Sequence, residues 1–548
     1  MQRSTRAARL VAWVTVLVLV AGGTATAQPG QDQADRHRAT VLPARPLPLG
    51  PADLPEERTT RRLEPGLVHT KIVRGHSSDR DRWTVTVGFA STAAERDALT
   101  AQLEAAGFQP RADPAAERAP DGSFLGWMVR TGAFVDMAEA QALAAEVANA
   151  GLPASVQNTV QDGGYAEGPW VVNLLTIDPR RYRGELSAAL ATDVVPGKET
   201  TSSIAARLGA TAATNGGFFV VNETMGTPGD LAGISVLDGE LVSEAVSGRP
   251  ALVLPHRNGR GASVERVTTR LRVRAEDGAR RRVDGLNRTP GRIFSCGGVD
   301  DEPFDRPAHD YVCRDADELI VVTPAFGDTA DVGAGFQVTL DRRGVVTARQ
   351  DERGGPIPED GVLVQATGES ASWLSAHAPL GSRLRISQQL RDERGRRVHL
   401  TARTDMVNGG PTLVQHGRVA LHPVREGWSP EDIGSTDRGG FYNGWYVRRN
   451  PRTAAGIRGD GTLLLVTVDG NQPGYSIGTS IRETARLMEY LGSQEAINLD
   501  GGGSTTMVVG GELQGRPSDA TGERPIGDAL VLLPTPRPIE AKKTSATW

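Results

Sequence analysis

Four strand-like runs in this chain end in Asn or Asp and turn at once on glycine: ATNGG at Asn215, MVNGG at Asn408, TVDG at Asp469 and NLDGGG at Asp500. Asp469 and Asp500 can titrate, so together they could divide a general acid from a general base or nucleophile, the division that glycosyl transfer to water uses. Asn215 and Asn408 cannot titrate, but an amide can orient a sugar hydroxyl or a phosphate oxygen. The turns at Gly216, Gly217, Gly501 and Gly502 could bring backbone N–H groups close to an anion, and Ser504 and Thr505 add hydroxyl donors to the last of them. Arg452, in NPRTAAGI, offers a planar guanidinium suited to phosphate. A divalent cation held by Asp469 and Asp500 would instead support P–O cleavage. The chain has no EF-hand-like acidic run, HExxH, CxxC or P-loop to fix a metal or nucleotide site, so no cofactor is assigned.

These groups need elements that bring them together. LLLVTVD (463–469) reads as a strand, Ser480 to Glu483 as a capping box opening a helix to Leu491, Gly492 as its stop, and AINLD (496–500) as a second strand. A right-handed βαβ crossover would put Asp469 and Asp500 at the carboxyl edge of one sheet, where open α/β sheets hold ligands. TTSSIAARLG (200–209) reads as a helix delivering Asn215 to a strand end, and Arg452 begins a strand expected beside that of Asp469. Gly474 to Gly478 fits GxSxG, but the last histidine, His422, precedes it, whereas an α/β-hydrolase needs its histidine afterwards.

With 548 residues, 39% hydrophobic, 5% aromatic, and Gly 65 with Pro 34, the chain reads as a turn-rich α+β protein rather than a helical bundle. A formal charge of −5 gives no general basic surface for nucleic acid. Arg3, Arg6 and Arg9, an apolar run from Leu10 to Val20, and Ala25-Thr26-Ala27 have the order of a signal peptide cleaved after Ala27. The chain is therefore expected to be secreted, extracellular or cell-wall associated, with no membrane span after cleavage. The two cysteines, Cys296 and Cys313, could then form one disulfide stabilising the chain by roughly 3 kcal/mol, against the alternative of two free thiols.

Trp83, Gly88 and Gly107 recur as Trp127, Gly132 and Gly151, a shift of 44 residues. Each copy runs strand, Ala-rich helix, strand, giving a duplicated βαβ unit. This segment, 82–162, resembles the SPOR family, whose members bind peptidoglycan glycan strands on the face of a four-stranded sheet. The resemblance implies that role here, with a purely structural module as the alternative. The strand-like segments 63–75 and 169–179 flank the unit; if they pair, it is an insertion. The expected organisation is signal peptide 1–27, linker 28–60, a mixed β-sheet catalytic domain over 61–81 and 163–534, the inserted domain 82–162, and a tail 535–548.

ATNGGFF (213–219), GDLAGISVLDGELVSE (229–244), VNGGPTLV (407–414), PRTAAGI (451–457), VDGNQPGYSIG (468–478) and NLDGGGSTTMV (498–508) resemble the phosphodiester glycosidases. The resemblance implies hydrolysis of a sugar 1-phosphodiester at the anomeric carbon of an envelope or extracellular glycopolymer, releasing sugar and phosphomonoester. It directs attention to Asn215, Arg452, Asp469, Asp500 and the Ser504–Thr505 turn. A metal-assisted phosphodiesterase and a non-catalytic glycan-binding protein stand as the alternatives.

Overall fold

The computed structural model describes residues 42–296, 309, 311–430 and 440–535. The expected signal peptide and the tail beyond 535 lie outside them. The architecture is α+β, dominated by antiparallel sheets. An eight-stranded sheet runs Glu56–Glu64, Leu67–Arg74, Trp170–Ile177, Leu463–Val468, Arg452–Arg458, Ser493–Asn498, Thr412–Gln415, Arg418–Val419. Its central strand, Leu463–Val468, is buried on both faces. Leu464, Val466 and Val468 pack with Ile481, Ala485 and Met488 of the helix Ile481–Tyr490. Leu463 and Leu465 point the other way, into a core with Leu186, Leu252, Val407 and Leu530 from the facing sheets. This period-2 division of side chains is what a strand between two layers requires. The helix starts on a complete capping box of Ser480 and Glu483, and its C-cap is Leu491.

The expected βαβ unit has a different inner order. Arg452–Arg458 lies between Leu463–Val468 and Ser493–Asn498 and pairs antiparallel with both. The outer two strands therefore run parallel without touching. Their C-terminal ends still share one edge, and Arg452 begins its strand there, opposite Val468.

Two expectations about the N-terminal part change. Glu56–Glu64 and Leu67–Arg74 are separate strands of a hairpin, so 63–75 is not one strand. The segment 28–60 is folded throughout its described part: Leu47 and Leu49 are buried in the main core, and Arg74 donates from Nε to the Leu49 carbonyl (2.7 Å) and from Nη1 to that of Leu54 (3.2 Å). The Pro- and Arg-rich composition that suggested a linker is held by a buried guanidinium from outside it.

Leu67–Arg74 and Trp170–Ile177 pair antiparallel, and the chain between them forms a four-stranded sheet. Each repeat half is strand, helix, strand, but the strands of one half are separated by a strand of the other: Pro110–Pro114, Trp127–Phe134, Trp83–Ala90, Ser155–Asn158. All neighbours are antiparallel, a split βαβ arrangement. Val85, Val87 and Val129 face its helices. Arg130 faces away from them and is nonetheless fully buried.

Candidate active site

The edge carrying Asp469, Asp500 and Arg452 meets the end of a second, five-stranded sheet containing Ala212–Asn215 and Asp528–Leu533. Asn215 joins the two. Its Nδ2 donates to the Asp500 backbone oxygen (2.8 Å), and its Oδ1 accepts from Thr453 Oγ1 (2.7 Å) and the Thr506 N–H (3.2 Å). The Asp500 N–H in turn donates to the Gly216 carbonyl (3.1 Å). Asn215 therefore spends its amide on tying the sheets together, and the sugar-orienting role expected of it passes to a positioning one.

Gly216 and Gly217 have the same explanation. The Gly217 N–H donates to Asp528 Oδ1 (2.8 Å), and the Gly216 N–H to the Asp528 backbone oxygen (2.9 Å). The acceptor on this turn is thus a side chain of the protein. A Cβ on Gly216 would stand 2.5 Å from Asp528 Oδ1, and one on Gly217 would stand 2.6 Å from Asn408 Nδ2. Asn408 is likewise committed, accepting from the Phe218 N–H (2.8 Å) and donating to the Phe218 carbonyl (3.2 Å).

Asp500 is partly exposed, and its Oδ1 accepts the Gly501 N–H (2.8 Å). Desolvation pushes its carboxyl up to about 6, against the opposing pull of the Ser504 hydroxyl, the Gly501 N–H and the charge of Arg524. Asp528 stands behind it, 2% exposed. Burial, and then the Asp500 charge, push Asp528 up to about 7, with the Gly217 N–H pulling it down. Among the described residues, Asp528 Oδ2 has no hydrogen-bond partner, and neither do the buried hydroxyls of Thr505 and Thr506. Gly502–Ser504 forms a 3-10 turn capped by Thr505, which sets the Ser504 hydroxyl against Asp500.

Asp469 is a separate station on the same edge. Asp469 and Asp500 follow strands two places apart, so their backbones stand about 10 Å from each other. Tyr475 donates its hydroxyl to Asp469 Oδ2 (2.7 Å), the Arg516 N–H donates to the same oxygen (3.0 Å), and the Arg516 guanidinium lies 4.1 Å from the Tyr475 ring centre. Burial raises the Asp469 carboxyl against these donors and the charges of Lys71 and Arg516. Ser476, the GxSxG serine, is buried and donates to the Asp469 backbone oxygen, so it is no nucleophile.

Arg452 is in place but differently employed. It is 1% exposed, donates Nε to the Thr479 carbonyl (3.1 Å) and Nη2 to that of Trp445, and lies 4.7 Å from the Trp445 ring centre. Burial lowers its pKa. It fastens the loop before its strand instead of facing a phosphate. Arg524 is the cation beside Asp500, held to Asp519 at 2.8 Å. Cys296 and Cys313 form the expected disulfide, with Cα atoms 6.0 Å apart. Among the described residues, no three His, Cys, Asp or Glu side chains gather as a metal site would require, and no helix is long and apolar enough to cross a membrane.

The profile of the phosphodiester glycosidases matches residues 334–533, which hold Asp469, Asp500 and Asp528. That stretch is a phosphodiester glycosidase domain. The chain is 32% identical over 114 residues to the Bos taurus N-acetylglucosamine-1-phosphodiester alpha-N-acetylglucosaminidase, covering 21% of this chain and 20% of that protein, so it spans about a fifth of that curated relative's length. A Burkholderia pseudomallei K96243 protein, named for its predicted export, has a crystal structure of TM-score 0.84 and 40% identity, covering 90% of this chain and 99% of that one. A hypothetical protein from Synechocystis shares the fold, with TM-score 0.52 and 19% identity over 88% of this chain and 81% of its own. Asn215, Gly216 and Gly217 lie outside the stretch matched to the phosphodiester glycosidases, yet they support the carboxylates inside it.

Asp528 and Arg524 escape a reading that looks for acids at strand exits. Asp528 sits at a strand entrance, with Gly527 before it. Because its strand runs antiparallel to Ala212–Asn215, that entrance coincides with the Asn215 exit: Ala529 pairs with Asn215. The signal was the mirror image of the pattern sought, glycine then acid then a buried apolar run.

Proposed function

We propose that the chain is an exported hydrolase that cleaves the bond between the anomeric carbon and the phosphate oxygen of a sugar 1-phosphodiester. The observation carrying this reading is the Asp500–Asp528 pair, one member reachable and one buried, with upward-shifted carboxyls of different strength. Between about 6 and about 7, Asp500 is largely ionised while Asp528 keeps its proton. Asp500 then either takes a proton from water that attacks the anomeric carbon, or attacks that carbon itself to form a glycosyl ester that water then cleaves at the anomeric carbon, freeing the sugar and the Asp500 carboxylate. The C–O bond breaks with its electron pair leaving on the phosphate, a good leaving group that needs little protonation. Arg524 is positioned to receive that charge by exchanging Asp519 for phosphate. Thr505 and Thr506 supply hydroxyls with no hydrogen-bond partner among the described residues. The substrate tried first is an N-acetylglucosamine 1-phosphodiester, the compound in the bovine relative's name. The disulfide and the signal-like N-terminus support an oxidising, extracytoplasmic location.

For residues 82–162, packing favours a bracing role over peptidoglycan binding. Arg130, on the face opposite the helices, is ion-paired to Asp162 (2.6 Å) and Asp113 (3.1 Å), and Asp162 also meets Arg448 (3.4 Å). Gln161 Nε2 donates to Asn471 Oδ1 (2.8 Å) beside Asp469, and Arg449 Nη1 donates to the Val160 carbonyl (2.6 Å). Part of the face a glycan would need is thereby taken up by the protein's own contacts.

The test is hydrolysis in 18O-labelled water by the wild type and by Asp500→Asn. Label in the released sugar, with loss of turnover in the variant, supports the proposal. Label in the phosphate would establish P–O cleavage and overturn it.

A further inference from the structure

The strand Ser263–Arg274 pairs through Ser263 to Arg266 with Pro250–Leu254, then runs past it to form a ribbon with Arg385–Asp392. The ribbon leaves the sheet at the edge where Ala251 pairs with Asn408, on the side of the candidate site. One face of the ribbon is exposed and basic. Arg270, Arg272 and Arg274 alternate with buried Leu271 and Val273. Arg272 lies opposite Arg282, and Arg274 lies between Arg280 and Arg385. The other outward partners are Ser387 and Gln389, so these paired positions carry no acid. Asp284 meets Arg282 at one rim, 3.8 Å away.

Like charges directly opposite on a sheet repel. The chain as a whole is acidic, at −5, so overall composition does not account for this concentration of arginine. Residues spaced i, i+2 on strands about 4.8 Å apart set guanidinium stems on a lattice of about 5 by 7 Å, suited to multipoint contact with a repeating anion. The outward positions include no aromatic or aliphatic side chain. A membrane-inserting surface would need apolar anchors and a single-stranded nucleic-acid site would need stacking rings. A cavity of about 330 Å³ lined by Arg270, Arg272, Arg282 and Glu244 borders the face.

We propose that this arginine face binds an anionic glycopolymer joined by phosphodiesters and presents it to the Asp500 site. The proposal rests on the hydrolase reading for its choice of polymer, and names the substrate as polymeric.

The experiment measures binding of poly(N-acetylglucosamine 1-phosphate) to the full Asp500→Asn chain, with and without Arg270→Ser, Arg272→Ser, Arg274→Ser and Arg385→Ser together, at about 50 mM and about 500 mM salt. The expected result is binding weakened at least about tenfold by the four substitutions at low salt, and by salt in the parent. With Asp500 intact, the four substitutions should raise KM for the polymer and leave turnover of the monomeric methyl phosphodiester unchanged. Equal polymer binding by parent and variant would overturn the proposal, as would tighter capture of phosphatidylglycerol vesicles or duplex DNA than of polymer. A wild type that hydrolyses no phosphodiester, while polymer binding still depends on the four arginines, would remove the catalytic reading and leave the surface standing.

Discussion

The carboxylates of Asp500 and Asp528 come from different sheets, and the Asp500 charge helps push Asp528 up to about 7. Asp500 turns off the end of Ser493–Asn498, whereas Asp528 opens Asp528–Leu533. Asn215 fixes their separation through the Asp500 backbone, and the Gly216–Gly217 turn holds Asp528. A polar pair assembled in this way is positioned by backbone hydrogen bonds, which move less than free side chains.

Asp500→Asn should lower kcat on a sugar 1-phosphodiester by about 100-fold or more, the usual scale for loss of a positioned acid–base or nucleophilic group. Asp528→Asn should cost less, because Asn can still accept the Gly217 N–H and Asp500 remains. Steady-state kinetics on the two purified variants checks the order. Equal losses would mean that Asp528 itself meets the substrate.

The pair also sets a pH dependence. If Asp500 acts ionised and Asp528 protonated, activity should rise through about 6 and fall beyond about 7. Asp528→Asn should remove the alkaline fall. Stability moves with the same groups. Their folded pKa values lie above the unfolded value of about 3.9, so the unfolded state holds fewer of these protons from about pH 4 to about pH 7, and their contribution to stability falls as pH rises through that window. Urea unfolding at pH 5 and pH 8 should therefore show Asp528→Asn gaining on the wild type at the higher pH, by at least about 1 kcal/mol.

Asn215→Ala should destabilise the chain by about 2–4 kcal/mol. It strands the Thr506 N–H and the Thr453 hydroxyl in a buried setting and frees the Asp500 carbonyl, and unsatisfied buried groups cost about 1–3 kcal/mol each. The measurement is chemical denaturation with turnover in parallel. Loss of kcat without loss of stability would instead mark Asn215 as a substrate ligand.

The shared edge of Asp469 and Asp500 was legible because a capping box, an amphipathic helix and two apolar runs are local patterns. What separated those strands was not. Arg452–Arg458 precedes both in sequence, and only long-range pairing inserts it between them. Arg452, Asn215 and Asn408 stood out in the sequence, but their types fit a ligand and a structural carbonyl equally well. Burial favours the structural role: each spends polar atoms on backbone or neighbouring side chains. Leu47 and Leu49 looked like linker because their fastening comes from Arg74, a residue with no visible relation to them in sequence. Arg130 gave no warning that it is buried between Asp162 and Asp113.

Arg130→Ala tests that packing. It removes the cation shared by Asp162 and Asp113, which keep Arg448 and Arg111 as partners, so the expected cost is about 1–3 kcal/mol. Because Leu125 and Val160 share a core cluster with Trp170, Tyr442 and Val447, unfolding should remain one cooperative transition at a lower midpoint. Differential scanning calorimetry reads this directly. An early, separate transition would show the 82–162 segment folding independently, and its face would become a candidate for glycan again.

Arg452 and Arg524 should separate under phosphate. Arg524 lies beside Asp500 on a partly exposed pairing with Asp519, which a phosphate can displace, whereas Arg452 is enclosed by the Thr479 and Trp445 carbonyls and the Trp445 ring. Arg524→Gln should therefore raise KM and weaken inhibition by inorganic phosphate about tenfold or more, with little change in melting temperature. Arg452→Lys keeps the charge but loses the fork of donors, so it should lower the melting temperature while leaving the phosphate inhibition constant near the wild-type value. Inhibition titrations and thermal unfolding on both variants decide the assignment. Reversal of the two patterns would return the phosphate to Arg452 and make the Arg524–Asp519 pair a surface clasp.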